Sequence, residues 1–474
     1  MRPVIVWHRR DLRVGDNPAL YHAVKTGAPV IPLFIFDKAL IRSLPSDGAS
    51  FDFQAGALRE LGASIEKLGG NLIVRHGNVV DIHRQIIAET KPAALYFNED
   101  YDPYALERDK SVEKLYGAKG IETIRFKDTV LHGPGEVMTL SGKPFIVFTP
   151  YARVWKQLPK TTPFPKPKKM HTPSVKSDPI VGAHALRREV QIEDPAYRGG
   201  EREARSQWKR FLDGSLGDYD RLRNIPGIRG TSRMSGYLRF GCISPRTMYE
   251  DCVLMNPERG NGEGKAKFID ELIWREFYQS VLFHFPHLVN SNYRGEFDRF
   301  RWSTNDKKVA AWKTGQTGYP LVDAGMRQLN RTGWMHNRVR MVVASFLTKH
   351  LATDWQIGQR YFEMKLMDLE TASNNGGWQW AASTGVDPKP LRIFNPTLQA
   401  EKYDSGGEYI RQFVPELTRV PNEFIHEPSL MPPSLQKEIG VTIGRDYPRP
   451  VVNHREATQK FRTLYLQMKG SPKS

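Results

Sequence analysis

Four segments of this chain bring together residue types that can do chemistry. The densest is Asn374-Asn375-Gly376-Gly377-Trp378-Gln379-Trp380-Ala381-Ala382-Ser383-Thr384-Gly385, with two tryptophans, side-chain amides, glycines and no charge. Glycines let a flat group approach the backbone, amides satisfy both donors and acceptors, and tryptophans stack or carry an electron. The combination points to an aromatic cofactor. A tight helix-capping turn with two core tryptophans would explain the stretch equally well if it stood alone. Just upstream, Asp368-Leu369-Glu370 offers two carboxylates to hold a ribose or the edge of a flavin ring. In Glu271-Leu272-Ile273-Trp274-Arg275-Glu276-Phe277-Tyr278, Glu271 shares a helix face with Trp274 and Arg275. A Glu271–Arg275 surface ion pair is the plain reading. The apolar neighbours instead suggest a half-buried carboxyl that stays protonated and donates a hydrogen bond. In Thr332–Met341, Asn337 and Met341 are four apart and face one way. Arg340 is offset toward an acid such as Asp368, and Arg338 is left for solvent or a phosphate. Finally, the hydroxyls of Gly230-Thr231-Ser232-Arg233-Met234-Ser235 precede a helical stretch, where they suit a phosphate. Simple N-capping by Thr231 or Ser232 serves as well.

The elements that must position these residues fall into two kinds. Over the first 130 residues, short apolar runs at Pro3–Trp7, Pro29–Phe36, Asn71–Arg75, Ala94–Asn98 and Glu122–Phe126 alternate with helical stretches such as Phe51–Leu68 and Pro103–Tyr116. That alternation predicts an α/β domain with a Rossmann-like, mostly parallel sheet, whose ligands bind beyond the carboxyl ends of the strands. The first strand runs into His8-Arg9-Arg10-Asp11-Leu12-Arg13, with no Gly-x-Gly-x-x-Gly, so no nicotinamide cofactor is expected there. From residue 201 the pattern is helical, with Glu271–Phe285, Pro320–Asn330, Asn337–His350 and Asp354–Asp368 at helical spacing and no convincing strand. The tail, Gln459–Ser474, starts helical and frays. The expected division is an α/β domain over 1–130, a linker over 131–200 and an all-α domain over 201–474. Within the linker, Pro159, Pro163, Pro165, Pro167, Pro173 and Pro179 lie among Lys160, Lys166, Lys168 and Lys169, so 157–200 should run extended and solvated over the surface.

Charge separates the two parts. The 474-residue chain carries a net +17, yet residues 1–150 hold 19 Lys+Arg against 18 Asp+Glu, so +16 falls on 151–474. A polyanionic partner for the helical part follows, with nucleic acid the first candidate. No apolar run is long enough to span a bilayer, and the N-terminus has no signal-peptide pattern. Cys242 and Cys252 match no metal or redox spacing and should be reduced, in the cytoplasm.

Taken in order, the four segments resemble the photolyase/cryptochrome family, and most closely its microbial cyclobutane pyrimidine dimer (CPD) photolyases. The resemblance runs from Arg9–Arg13 to Asp446-Tyr447-Pro448 and is densest between Thr231 and Pro396. It implies a helical domain holding FAD in a U-shaped form. The reduced cofactor, excited by blue or near-ultraviolet light, donates an electron to a flipped dimer, which splits and returns it. Photolyases are themselves among the standard examples of base flipping. By resemblance, Tyr219, Thr231, Ser232, Ser235, Arg275, Asn337, Arg340, Asp368, Glu370 and Asn374 line the FAD site. Asn374 faces the flavin, where plant cryptochromes carry Asp, and Arg340 pairs with Asp368 beside the ring system. Glu271 hydrogen-bonds the thymine carbonyls, while Trp274 and Trp380 wall the dimer. Arg223, Arg338 and Arg392 surround the DNA surface. Trp378, Trp355 and Trp302, spaced by 23 and 53 residues, match the tryptophan chain that photoreduces the flavin.

The same resemblance bears on the lesion. The related (6-4) photolyases carry histidines where Asn337 and Met341 stand, because their lesion needs proton transfer; an Asn/Met pair favours the cyclobutane dimer. The chain departs from the family at Glu370, which stands where Asp is usual. FAD is still expected to bind there. It also departs at Asp102, which takes the place of a Glu used by folate-binding members. An antenna chromophore is expected in the N-terminal domain, with methenyltetrahydrofolate, 8-hydroxy-5-deazaflavin and a second flavin all open. A monomer with no obligate protein partner is expected. Two other functions compete: a cryptochrome-type photosensor, disfavoured by the repair-type residues and the short tail after Met468, and a flavin oxidoreductase without DNA, disfavoured by the charge asymmetry.

Overall fold

The computed structural model describes residues 1–43, 49–182, 192–193, 195–254, 262–387 and 391–470. Five strands, β1 (Val4–His8), β2 (Val30–Asp37), β3 (Ile73–Gly77), β4 (Ala94–Asn98) and β5 (Glu122–Phe126), form a wholly parallel sheet in the order β3-β2-β1-β4-β5. Strand β1 is central, with Val4 opposite Val30 on one side and Ala94 on the other. Its five residues are all buried, as a strand covered on both faces must be. The edge strand β5 is partly exposed. Side-chain caps start the helices where the chain leaves the sheet: Asn17 caps Pro18–Lys25, Asn78 caps Val79–Thr90 and Asp102 caps Pro103–Gly117. The order reverses at β1, so β1, β2 and β4 deliver their carboxyl ends to one crevice.

The described part of the proline-rich connector lacks regular structure and is mostly exposed or half-exposed, as expected, but it is also pinned to the sheet. Met170 donates its N–H to Leu68 O, His171 O accepts from Val30, and Asp178 donates to Val74 O. Side chains of Thr172, Ser177 and Asp178 accept from the backbone of Asn71, Val74 and His76. Prolines block a regular ladder, but the polar residues between them still pair with the open side of β3. The segment therefore covers an edge strand that would otherwise present unpaired donors. Met170, Ile192 and Tyr197 are buried in the same apolar cluster as Val4 and Phe34.

Beyond residue 200 the regular elements among the described residues are helices joined by turns and loops, with an isolated bridge between Ile443 and Tyr447. The helix expected at Glu271–Phe285 begins earlier and spans Glu263–His284. The one expected over Asn337–His350 is α-helical only for Asn337–Ser345 and then widens into a π-turn, Phe346–His350. Inside that turn the fully buried Lys349 donates to Ala382 O at 2.9 Å and Ser383 Oγ at 2.8 Å. The last helix is His454–Gly470, and the expected fraying of its end lies outside the described residues. None of the described helices is long and apolar enough to cross a membrane.

The two parts are locked by buried charge. Arg13 and Arg246 share Asp128 Oδ1, at 2.5 Å each, and Arg246 also reaches Asp16 at 3.0 Å; all four side chains are 3 % exposed or less. Arg13 also donates to Gly241 O. A Cβ on Gly241 would sit 1.9 Å from Arg10 O, and its φ is +64°, so only glycine allows the two backbones to meet there.

Candidate functional site

The segment Asn374–Gly385 is not a turn. It lies largely within one α-helix, Thr371–Ala382, which runs straight through Gly376-Gly377 and ends at Ser383 in the left-handed conformation. A Cβ on Gly376 would lie 2.1 Å from Tyr278 Cδ1, so this glycine admits the tyrosine of the neighbouring Glu263–His284 helix. A Cβ on Gly377 would meet nothing within 4 Å: that side opens into space. Asn374 and Trp378, one turn apart, are buried, while Trp380 points elsewhere and is half-exposed. Asn374 Nδ2 donates to Gln359 O at 3.3 Å. Trp378 lies edge-on to Trp312, 6.0 Å between centroids, and to Phe362 at 5.0 Å. Trp355 and Trp302 pack into the same apolar cluster, Trp355 fully buried and donating Nε1–H to Asn292, Trp302 half-exposed against Phe300.

Glu271, Trp274, Arg275 and Tyr278 form one stripe of the Glu263–His284 helix. Glu271 does not pair with Arg275. Its partner is Arg223, whose guanidinium sits 5.6 Å from the Tyr219 ring. Burial raises the Glu271 pKa, and Arg223 opposes the rise. Arg275 turns away, to Thr129 O and to Glu370 Oε1 at 2.9 Å. Trp274 is stacked face to face on Phe148.

The offset of Arg340 leads where its spacing indicated. Its Nη2 reaches Asp368 Oδ1 at 3.1 Å and Oδ2 at 2.8 Å, and its Nε donates to Met335 O. Glu370 behaves differently from a carboxylate facing a ligand. Its Oε1 accepts from Arg10 at 2.5 Å, from Arg275 and from Gln279, so it ties the α/β part to the helical part. Burial alone would raise its pKa, but Arg275 and Arg10 hold it below the usual range. Arg338 is bound to Asn224 Oδ1 at 2.7 Å and lies 4.6 Å over Tyr403, rather than free in solvent. Arg392 is exposed, 5.8 Å from Trp380. Asn337 is exposed, and Met341 half-buried, one turn further on the same helix.

One residue of the Gly230–Ser235 segment, named in the sequence with its hydroxyls, had no site role assigned to it. Arg233 adopts φ +53° and stacks its guanidinium 4.6 Å over Trp334. Among the described residues no carboxylate is ion-paired to it; Tyr197, Arg229 and Tyr409 are the ionisable groups acting on it, and burial lowers its pKa. Nearby Ser235 accepts or donates a 2.9 Å hydrogen bond with Tyr197, and His336 Nε2 is buried without a partner. Burial, then Arg233 and its neighbours, push His336 down to about 3, so its ring is neutral. A half-buried cation with no ion-paired acid among the described residues, next in the chain to the hydroxyls of Thr231, Ser232 and Ser235, suits a phosphate anion. The open space beside Gly377 suits a flat ring. Together these residues fit a dinucleotide such as FAD.

A separate cavity of about 180 Å³ lies at the strand carboxyl ends. Trp7, Phe36, Tyr104, Arg9, Arg10 and Arg108 line it from the α/β side, and Arg239, Phe240, Leu369 and Thr371 from the helical side. Asp102 is on this wall, but its carboxylate is engaged as the cap of Pro103–Gly117, accepting from Tyr104 N–H.

Comparison with known proteins agrees with this geometry. The model described as DNA photolyase matches residues 4–168, and that described as the FAD binding domain of DNA photolyase matches 268–467. The deoxyribodipyrimidine photo-lyase of Agrobacterium fabrum is 39% identical over 98% of both chains. A class III photolyase from Agrobacterium tumefaciens superposes with a TM-score of 0.93 at 38% identity, covering 99% of this chain and 98% of that one. The Synechocystis cryptochrome gives 0.91 at 30%, over 98% and 99%. An archaeal photolyase from Sulfolobus tokodaii, solved with two FAD molecules, gives 0.81 at 35%, over 98% and 100%. A parallel α/β sheet feeding a helical site of this make-up, with full-length likeness at this level, makes the chain a member of the DNA photolyase family.

Proposed function

We propose that this protein repairs cyclobutane pyrimidine dimers in DNA in a light-driven reaction. The observation that carries the reading is the stripe on the Glu263–His284 helix. It carries a half-buried Glu271, paired with Arg223, and Trp274, stacked on Phe148, and it packs through Tyr278 over Gly376 against Thr371–Ala382, the helix of Asn374. Reduced FAD, when bound, supplies on excitation the electron that opens the dimer. The chain's residues do the rest. Glu271 hydrogen-bonds a thymine carbonyl as negative charge develops there; burial moves its pKa upward, toward the protonated form that such a bond needs, and Arg223 opposes that rise. Trp274 and Trp380 flank the bases. Arg223, Arg338 and Arg392 meet phosphates, which accounts for the basic excess of residues 151–474. Asn374 faces the flavin ring without adding a charge, and Arg233 with the Thr231–Ser235 hydroxyls holds the phosphates. Trp378, Trp355 and Trp302 pass electrons inward to restore the reduced cofactor, a role separate from repair.

Neither Asn337 nor Met341 can serve as an acid or base, which supports the cyclobutane lesion over the (6-4) lesion. The cavity at the strand ends takes a second, light-gathering aromatic ligand; its aromatic walls and four arginines suit a folate, a deazaflavin or a second flavin. The protein acts as a monomer in the cytoplasm, in keeping with Cys242 and Cys252 both being free and buried.

The test mixes reduced protein with ultraviolet-damaged oligothymidine under blue light. Light-dependent loss of dimers is expected. No loss sinks the reading, and restoration of (6-4) products instead overturns the argument from Asn337 and Met341.

A further inference from the structure

Phe148 and Trp274 are parallel to within 2°, with ring centroids 3.7 Å apart. Isolated aromatic pairs avoid such a full face-to-face sandwich and prefer offset or edge-on arrangements. Something other than ring attraction therefore holds these two together. The mounting of Phe148 supplies it. Phe148 opens the helix Phe148–Gln157, whose buried Tyr151, Ala152 and Trp155 pack against Ile273 and Phe277 of the helix that bears Trp274. Just before it, Ile146 O accepts from the N–H of Asp387, fixing the approach of the chain. Phe277, edge-on at 5.7 Å and 82°, and Tyr278, tilted by 34° at 5.6 Å, are the other rings beside the indole. Tyr278 is itself seated over Gly376. Trp274 thus has one face covered by Phe148 and two further rings beside it, yet remains half-exposed.

We propose that Phe148 is a positioning residue for damaged DNA: it fixes the plane of Trp274 before the lesion arrives, leaving the opposite indole face as a rigid platform for a flipped pyrimidine. The proposal rests on the reading that Trp274 walls the lesion. Its physical content is preorganisation. An unsupported tryptophan at a cavity mouth would sample several rotamers and lose that freedom on binding. A stacked one has lost it already, during folding. Undamaged duplex, which keeps its bases stacked, does not use the platform. Phe148 therefore adds to discrimination for damage more than to general affinity for DNA. It lies in the stretch between the sheet and the helical part, so that stretch contributes to the lesion site.

The experiment compares Phe148→Leu, Phe148→Tyr and Trp274→Ala with the unaltered protein. Dark binding to oligonucleotides with and without a single dimer is read by anisotropy, alongside flavin content, melting temperature and repair against DNA concentration. Phe148→Leu is expected to weaken binding of dimer-containing DNA by about fivefold, the scale of one lost aromatic stack. Undamaged DNA should be affected far less. In repair, the loss should fall on the half-saturating DNA concentration rather than on the yield at saturation, and Phe148→Tyr should restore it. If Trp274→Ala loses discrimination and Phe148→Leu keeps it, the proposal is overturned and the wall reading stands. If neither loses it, the wall reading falls and takes the proposal with it. Equal losses for both DNAs, or loss of flavin, would show a merely structural role and also overturn it.

Discussion

Arg340 spans the carboxylate of Asp368 with a single guanidinium nitrogen, 3.1 and 2.8 Å from its two oxygens, and the Asp368 side chain is wholly buried. A buried carboxylate that loses its paired cation pays the full desolvation penalty. Arg340→Ala is therefore expected to destabilise the protein by about 3–5 kcal/mol and to yield protein depleted in flavin. Denaturant midpoints and the ratio of flavin to protein absorbance check both. Retention of full flavin would separate the pair from the cofactor site.

Glu271→Ala should keep its flavin and lose repair. The expected drop in yield is about fivefold, the scale of one net hydrogen bond near 1 kcal/mol. Repair per absorbed photon at saturating DNA is the measurement. Release of flavin by this variant would reassign Glu271 to structure.

Trp302→Phe should slow photoreduction of the oxidised cofactor while chemically reduced protein repairs as before. Transient absorption after a laser flash reads the first, and the dimer assay the second. Unimpaired photoreduction would remove Trp302 from the electron path.

Glu370→Asp tests the contact between the two parts. Shortening by one methylene withdraws Oε1 from Arg10, Arg275 and Gln279 together. A loss of about 1–3 kcal/mol is expected, rising in Glu370→Ala, where two arginines are left without their shared acid. Thermal unfolding measures it. Unchanged stability in both variants would show that the contact contributes nothing.

Lys349 gives stability a pH dependence. Burial, with Arg294 nearby, lowers its pKa from 10.5 to about 7. Between pH 7 and 10.5 the unfolded chain therefore holds a proton that the folded one has released. Stability contributed by this group rises with pH across that window, by at most about 1.4 kcal/mol per unit. Below pH 7 both states are protonated and the slope ends. Lys349→Met should flatten the rise in urea midpoints from pH 7 to 9.5. It should also cost about 2–4 kcal/mol, because Ala382 O and Ser383 lose their donor at the helix end.

Much of this was legible in the residues. Pro3–Trp7 and Pro29–Phe36 read as strands because continuous apolar runs between helical stretches leave few alternatives, and the strands formed are Val4–His8 and Val30–Asp37. The offset of Arg340 from Asn337 sufficed to aim it at Asp368. What escaped depends on neighbours remote in the chain. The partnership of Arg10 with Glu370 joins residues 360 apart, and no local pattern signals it. Gly376-Gly377 suggested a turn because glycine disfavours helix, but packing of Tyr278 overrides the propensity. Among the described residues beyond Gln157 in 157–200 the prolines exclude regular structure as expected, but they said nothing of the edge strand the segment covers. Arg233 was assigned no role of its own, since its lack of an ion-paired acid among the described residues is visible only in space. Phe148 carried no signal at all until its ring was seen on Trp274.

The shared arginine–aspartate cluster of Arg13, Asp16, Asp128 and Arg246 has a consequence for modularity. Gene-level boundaries would invite exchange of the α/β part between relatives as a cassette. Cutting there removes Arg246 and leaves two carboxylates facing one arginine in a newly exposed apolar seam. A chimera must therefore carry Arg246 and Gly241 along with the sheet, or replace all members of the cluster at once. Heredity has to treat the two halves as one unit, although they would gather light and mend DNA with different residues.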